Sequence, residues 1–236
     1  MKLDFSNERV LAVVAHPDDA ELLCAGTLAR ARADGAVIGV CVCCRGNNGQ
    51  PLKPIPNLAS VRRREMAAAA RLLGAELHTV GISDATLADT PAIRQKVTEV
   101  LRQFRPTLLL AHAAQDYHPD HRAAAALAEA ASWFCAGRGY KTRTASLPTA
   151  PALWWMDTLN MSGFEPEFFV DVSPYLELKE RMLGCHRSQL ARASDRSFSP
   201  LLEVMRRQCQ ARGAQAGVSA AEAFRSHQAY KRIRAW

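Results

Sequence analysis

Val10-Leu11-Ala12-Val13-Val14-Ala15, followed at once by His16-Pro17-Asp18-Asp19, decides how this chain is built. A short, unbroken apolar run rich in valine reads as a strand buried on both faces, the habit of parallel sheets. Helical spacing follows over 19–34, closed by Gly35, and a second strand over 37–43 restarts the cycle. Residues 60–73 read as a helix stopped by Gly74, 77–80 as a strand, and 91–104 as a helix with Pro91 in its first turn. A fourth strand over 106–111 leads through a polar loop to an alanine-rich helix over 121–136. Residues 168–172 read as a strand and 175–189 as a helix; the core is expected to end near Gln189. Strand and helix alternate, so the expected fold class is α/β, a mostly parallel sheet sandwiched by helices. Ligands in such folds sit beyond the carboxyl ends of the strands where the strand order reverses. The first and fourth strands are the expected neighbours at that point.

Composition agrees with a packed globular chain. Of the 236 residues, 48% are hydrophobic and 22% charged, and no Ser/Gly/Pro-rich linker divides them, so one domain over 1–236 is expected. No apolar run reaches membrane-spanning length, and the polar start, Met1-Lys2-Leu3-Asp4, is unlike a secretory signal. The seven cysteines lie mostly in apolar stretches, which fits reduced thiols and a cytoplasmic location. Cys41-Val42-Cys43-Cys44 lacks the C-x-x-C spacing and second pair of a zinc knuckle. The net charge of +7 is concentrated in a basic C-terminal segment from about 190, where nine Lys/Arg face three acids. That segment is weak support for nucleic-acid binding, because its aromatics (Phe198, Phe224, Tyr230, Trp236) are not regularly interleaved. No G-x-G-x-x-G follows the first strand, so a dinucleotide site is not expected.

Two histidine–aspartate clusters stand where the site should be. The first strand runs into His16-Pro17-Asp18-Asp19-Ala20-Glu21, and the fourth into Asp116-Tyr117-His118-Pro119-Asp120-His121. His16 and Asp19 are three apart, as are His118 and His121, so each pair can face one point from a single turn. One cluster alone could be a helix cap with incidental histidines. Two clusters after two adjoining strands point to a metal centre with carboxylates to spare. Catalytic zinc commonly takes three protein ligands and leaves a position for water. Two histidines and a carboxylate also match the facial site of Fe(II) oxygenases, so the ligand types leave the metal open.

His16-Pro17-Asp18-Asp19, with Ala15 before it and Glu21 and Gly26-Thr27-Leu28 after it, resembles the signature of the LmbE-like (PIG-L) metal-dependent deacetylases. His118-Pro119-Asp120-His121-Arg122 resembles that family's second motif, and Lys179, Met182, His186, Ser188 and Gln189 its third. The resemblance implies a Rossmann-like fold and removal of an N-acetyl group from an N-acetylglucosamine-type amino sugar. It implies zinc on His16, Asp19 and His121, Asp18 as general base, and His118 as the imidazolium that stabilises the oxyanion. Asp120 would orient a histidine, and Arg62, opening Arg62-Arg63-Arg64-Glu65, would contact substrate unless it belongs to an exposed basic run. A small-molecule amino-sugar substrate is expected, with no nucleic-acid or membrane partner, in a homo-oligomer.

The chain departs from the family pattern at Ala20, which occurs in the bacillithiol-type branch, at Ala25-Gly26, and at Arg45-Gly46-Asn47-Asn48-Gly49. The last change bears on substrate contacts. Two rivals remain: an amidase cleaving a larger acyl group from a sugar–thiol conjugate, and a non-enzymatic binder of anions or nucleic acid.

Overall fold

The computed structural model describes residues 3–194 and 200–229. Strand β1 (Arg9–Val14) lies between β2 (Val37–Cys44) and β4 (Leu108–His112), parallel to both. Beyond β2 runs β3 (Glu76–Ile82), and beyond β4 runs β5 (Ala152–Met156), again parallel. Strands β6 (Phe168–Asp171) and β7 (Ala221–Ser226) complete the order β3-β2-β1-β4-β5-β7-β6, with β7 antiparallel to both neighbours. This is the expected α/β architecture, and the order reverses between β1 and β4 as the sequence predicts.

Val10, Ala12 and Val14 enter the core beneath helices α2 (Ala25–Ala33), α3 (Leu58–Leu73), α6 (Leu176–Leu183) and α8 (Leu201–Ala216). Leu11, Val13 and Ala15 enter the opposite core with α4 (Pro91–Phe104) and α5 (Pro119–Phe134). Successive strand residues face opposite sides, so a strand covered on both faces must be apolar throughout. The start of α4 follows local chemistry: Pro91 fills its first turn, and Thr90 accepts a hydrogen bond from the Ile93 amide at 3.4 Å.

The expected helix over 19–34 is two pieces, α1 (Asp19–Leu23) and α2, parted at Cys24. The cause lies far along the chain. The Glu222 carboxylate accepts the Gly26 amide at 2.9 Å and the Thr27 amide at 2.7 Å, so the first amides of α2 meet a carboxylate rather than a preceding turn. Gly26 is required there, since a Cβ would lie 2.7 Å from Val172 and 3.0 Å from Glu222. The helix expected over 175–189 likewise divides, at Gly184, into α6 and α7 (Arg187–Leu190).

The core does not end near Gln189. Leu201, Met205, Cys209 and Phe224 are buried in it, and β7 lies inside the sheet. Much of the basic surplus in this segment is paired: Arg212 Nε is 2.7 Å from Asp157 Oδ2, Arg206 pairs with Glu180, and Arg207 pairs with Glu203. Arg196, Phe198, Tyr230, Lys231, Arg232, Arg234 and Trp236 lie outside the described residues. Among the described residues no helix is long and apolar enough to cross a membrane.

Candidate active site

Because β1 and β4 are neighbours, both clusters open into one cavity of about 290 Å³, whose walls include His16, Asp18, Asp19, His118, Asp120 and His121. A tight turn after β1 is held by the His16 amide, which donates to Asp19 Oδ2 at 2.7 Å. Asp18 stands at the N-terminus of α1, yet its side chain makes no capping bond. It turns instead to Arg62, whose Nη2 donates to Asp18 Oδ1 at 2.6 Å.

His16 Nδ1, Asp19 and His121 Nε2 converge. The two imidazole nitrogens are 3.3 Å apart, His16 Nδ1 is 3.5 Å from Asp19 Oδ2, and His121 Nε2 is 3.4 Å from Asp19 Oδ1. A tetrahedral zinc with bonds near 2.0–2.1 Å sets its ligands about 3.3–3.4 Å from one another. Asp19 meets the two rings through different oxygens, whereas single ligand atoms of His16, His118 and His121, and likewise of Asp19, His112 and His121, lie within 4.8 Å of one another, so this knot of side chains could hold a small divalent cation. The far sides of His16 and His121 are braced by carboxylates. Asp120 Oδ2 is 3.0 Å from His16 Nε2, and Asp116 Oδ1 is 3.0 Å from His121 Nδ1. Such carboxylate–histidine pairs fix which ring nitrogen faces a metal.

The electrostatics follow from these pairs. Burial lowers the basicity of His16, but Asp120 and Asp19 outweigh it and lift the ring to about 10. Burial likewise opposes charge on His121, while Asp19 and Asp116 raise it to about 9. Asp19 resists its own burial because His121 and His112 hold it well below the usual carboxylate range. A divalent ion held here would supply, in place of ring protons, the positive charge that these three carboxylates face.

His118 closes the start of α5. Its Nδ1 accepts the Asp120 amide at 3.1 Å, capping α5, so the ring proton belongs on Nε2. Burial pushes its pKa down, and the charges of His121 and His16 push it further. Both effects favour the neutral ring over the imidazolium the resemblance implied, with Nε2 left to donate. Arg62 differs from an exposed basic run, being 3% exposed. Gly46, at φ +71°, admits it: a Cβ there would sit 2.6 Å from Arg62 Cδ.

His112 escaped the sequence reading. It ends β4, is fully buried, and places Nε2 3.1 Å from Asp19 Oδ2 and 3.1 Å from the Ala15 amide. Its position at the carboxyl end of a switch-point strand was the available signal. Asp116 was legible only as part of its cluster, without a role.

Residues 11–132 match the PIG-L family, described as GlcNAc-PI de-N-acetylase. The chain belongs to the PIG-L family. Diacetylchitobiose deacetylase of Thermococcus kodakarensis is 27% identical over 221 residues, covering 86% of this chain and 81% of that one. The 4-oxalmesaconate hydratase of Pseudomonas putida is 26% identical over 189 residues, covering 76% and 73%. The crystal structure of the conserved protein TT1542 from Thermus thermophilus superposes with a TM-score of 0.81, at 33% identity, over 97% of this chain and 100% of that one.

The third PIG-L-like motif lies outside the matched stretch, and its residues fasten the cavity walls together. Buried Lys179 pairs with Glu222 and donates to the Leu22 carbonyl at 3.3 Å. His186 Nε2 lies 3.5 Å from Glu21 Oε2. Ser188 donates its hydroxyl to Glu65 on α3 at 2.6 Å, and Gln189 donates to the Gly49 carbonyl at 3.1 Å. One short segment thereby ties α1, the helix carrying Arg62, and the loop after β2.

Proposed function

We propose that this chain is a zinc-dependent deacetylase that hydrolyses the N-acetyl group of an N-acetylglucosamine-type glycoside. The observation that carries the reading is the meeting of His16, Asp19 and His121 in one cavity beside the Asp18–Arg62 pair. The deacetylase relative and the PIG-L match support the substrate class. His16, Asp19 and His121 would hold the metal, which when bound acidifies water and polarises a carbonyl oxygen.

The chain's own residues supply the rest. Arg62 fixes one oxygen of Asp18 and leaves the other to the cavity, where it takes the proton of the attacking water. His118 Nε2–H donates to the carbonyl oxygen as negative charge builds there. Asp18 then returns its proton to the departing nitrogen, so water and amide become acetate and amine. Asp120 and Asp116 keep the two ligand rings turned inward.

The test is acetate release from a panel of N-acetylglucosamine glycosides, with metal content measured on the same preparation. Acetate formed in proportion to bound zinc is expected. The hydratase relative motivates a second reading, addition of water to an unsaturated carboxylate. Consumption of such an acid, without acetate from any glycoside, would replace the first reading with the second.

A further inference from the structure

The run Cys41-Val42-Cys43-Cys44 forms no zinc knuckle, yet its last thiol reaches the back of the site. Strict alternation along β2 would send Cys43 and Cys44 to opposite faces of the sheet. The β2–β3 register shifts between Val42 and Cys44, and both cysteines enter the same core as Ala15 and Ala111. A bulge of this kind re-aims a side chain. The result is that His16, Cys44 and Asp120 each offer a ligand atom within 4.8 Å of the other two.

We infer that these three side chains form a second cation site, for a soft divalent ion, whose filling switches the enzyme off. The site shares His16 with the proposed catalytic one but uses the opposite edge of its ring. His16 turns Nδ1 towards His121 and Asp19, while Nε2 faces Asp120 at 3.0 Å on the opposite side of the ring. With the catalytic metal on Nδ1, a second cation between Nε2, the Asp120 carboxylate and Cys44 Sγ would displace the Nε2 hydrogen and leave His16 as an imidazolate bridging the two. It also displaces the Cys44 thiol hydrogen, so one cation enters and two protons leave. Sulfur, nitrogen and oxygen together suit zinc or cadmium and disfavour magnesium or calcium, which prefer oxygen. Cys44 also belongs to the wall of another cavity, of about 360 Å³, with Met66, Thr79 and Gly81, which brings solvent up to this end of β2.

Filling the site removes the carboxylate that orients His16. Loss of such an orienting partner costs roughly 10–100-fold in metal affinity or activity. The inhibitory consequence rests on the proposed metal centre, whereas the ligand set does not.

The experiment is a cadmium titration of the zinc-loaded protein, followed by near-ultraviolet absorption of the thiolate–cadmium bond and by acetate release. A band that grows with one added equivalent, alongside roughly 10–100-fold inhibition, is expected. Cys44→Ser and Cys44→Ala should lack both, while Cys185→Ser, which removes the half-buried Cys185, should retain both. A band that survives in both Cys44 variants, or no band in the wild type, overturns the site. A band that vanishes with Cys44 in a protein releasing no acetate from any glycoside would leave the site standing and sink the deacetylase reading instead.

Discussion

Arg62 Nη2 and Asp18 Oδ1 meet at 2.6 Å across 44 positions of sequence, and both side chains are almost wholly buried. An arginine expected at the substrate is thus a partner of the expected base. Asp18→Asn should keep its zinc and lose turnover by about 10²–10⁴-fold, the usual contribution of a general base. Arg62→Met strands a buried carboxylate and should destabilise the fold by about 3–5 kcal/mol. Metal analysis, turnover and denaturant unfolding check the pair; near-normal turnover in Asp18→Asn would remove it from the mechanism.

His118 can be tested for charge as well as for role. His118→Ala should lower turnover by about 10²–10³-fold, as loss of one oxyanion donor does, with zinc retained. With Nδ1 accepting the Asp120 amide, Nε2 is the nitrogen left to donate, and a glutamine amide presents a similar N–H, so His118→Gln should recover part of that loss. Its ring centroid is 4.8 Å from that of His16 and 4.7 Å from that of His121, so a ligand role is the alternative. Loss of zinc in His118→Ala would establish it.

Metal uptake should release protons. With His16 raised to about 10 and His121 to about 9, both rings are protonated at neutral pH before the cation arrives. Each must deprotonate to become a ligand, so affinity should climb about 100-fold per pH unit up to about pH 9. Calorimetry in buffers of different ionisation heat should count close to two protons per zinc near neutrality. An affinity that levels off above neutral pH would show that the rings titrate near the ordinary histidine value.

Asp19→Ala removes a ligand and a charge together. Zinc content should fall sharply while the circular dichroism spectrum stays close to that of the parent, because the sheet does not depend on this side chain. Full occupancy in purified Asp19→Ala would reject the ligand set.

Lys179→Met leaves Glu222 charged and buried without its cation, at a cost of about 3–5 kcal/mol in chemical unfolding. Adding Glu222→Gln should not restore stability fully, since Glu222 also accepts the amides of Gly26 and Thr27. Full recovery in the double variant would mean that the carboxylate caps nothing of consequence.

The parallel half of the sheet was legible because most of its strands are short apolar runs followed by helical spacing. That the two clusters would meet was legible too, because the strands they follow adjoin at the switch point. What escaped was set by distant partners. Cys24 breaks a helix because Glu222 lies across its second half, and no local pattern around residue 24 announces that. Strand β5, Ala152 to Met156, carries neither a motif nor a helix of its own to mark it. Strand β7 mixes Glu222 and Arg225 with alanines because its charged side chains have partners elsewhere in the fold. The Asp120 amide that bonds His118 Nδ1 is likewise a backbone group that side-chain motifs do not display.

The position of β7 has a consequence for how the chain is made. A ribosome that has released the first 220 residues has delivered every proposed metal ligand, both bracing carboxylates and the Asp18–Arg62 pair. It has not delivered the strand that joins β5 to β6, nor the carboxylate that neutralises Lys179. Until then β5 presents an open hydrogen-bonding edge and β6 has no partner in the sheet, the condition in which strands pair with the wrong chain. The vulnerable interval in this protein's synthesis therefore lasts until residues 221–226 emerge, and a chaperone acting within it would matter more than any help given to the catalytic half.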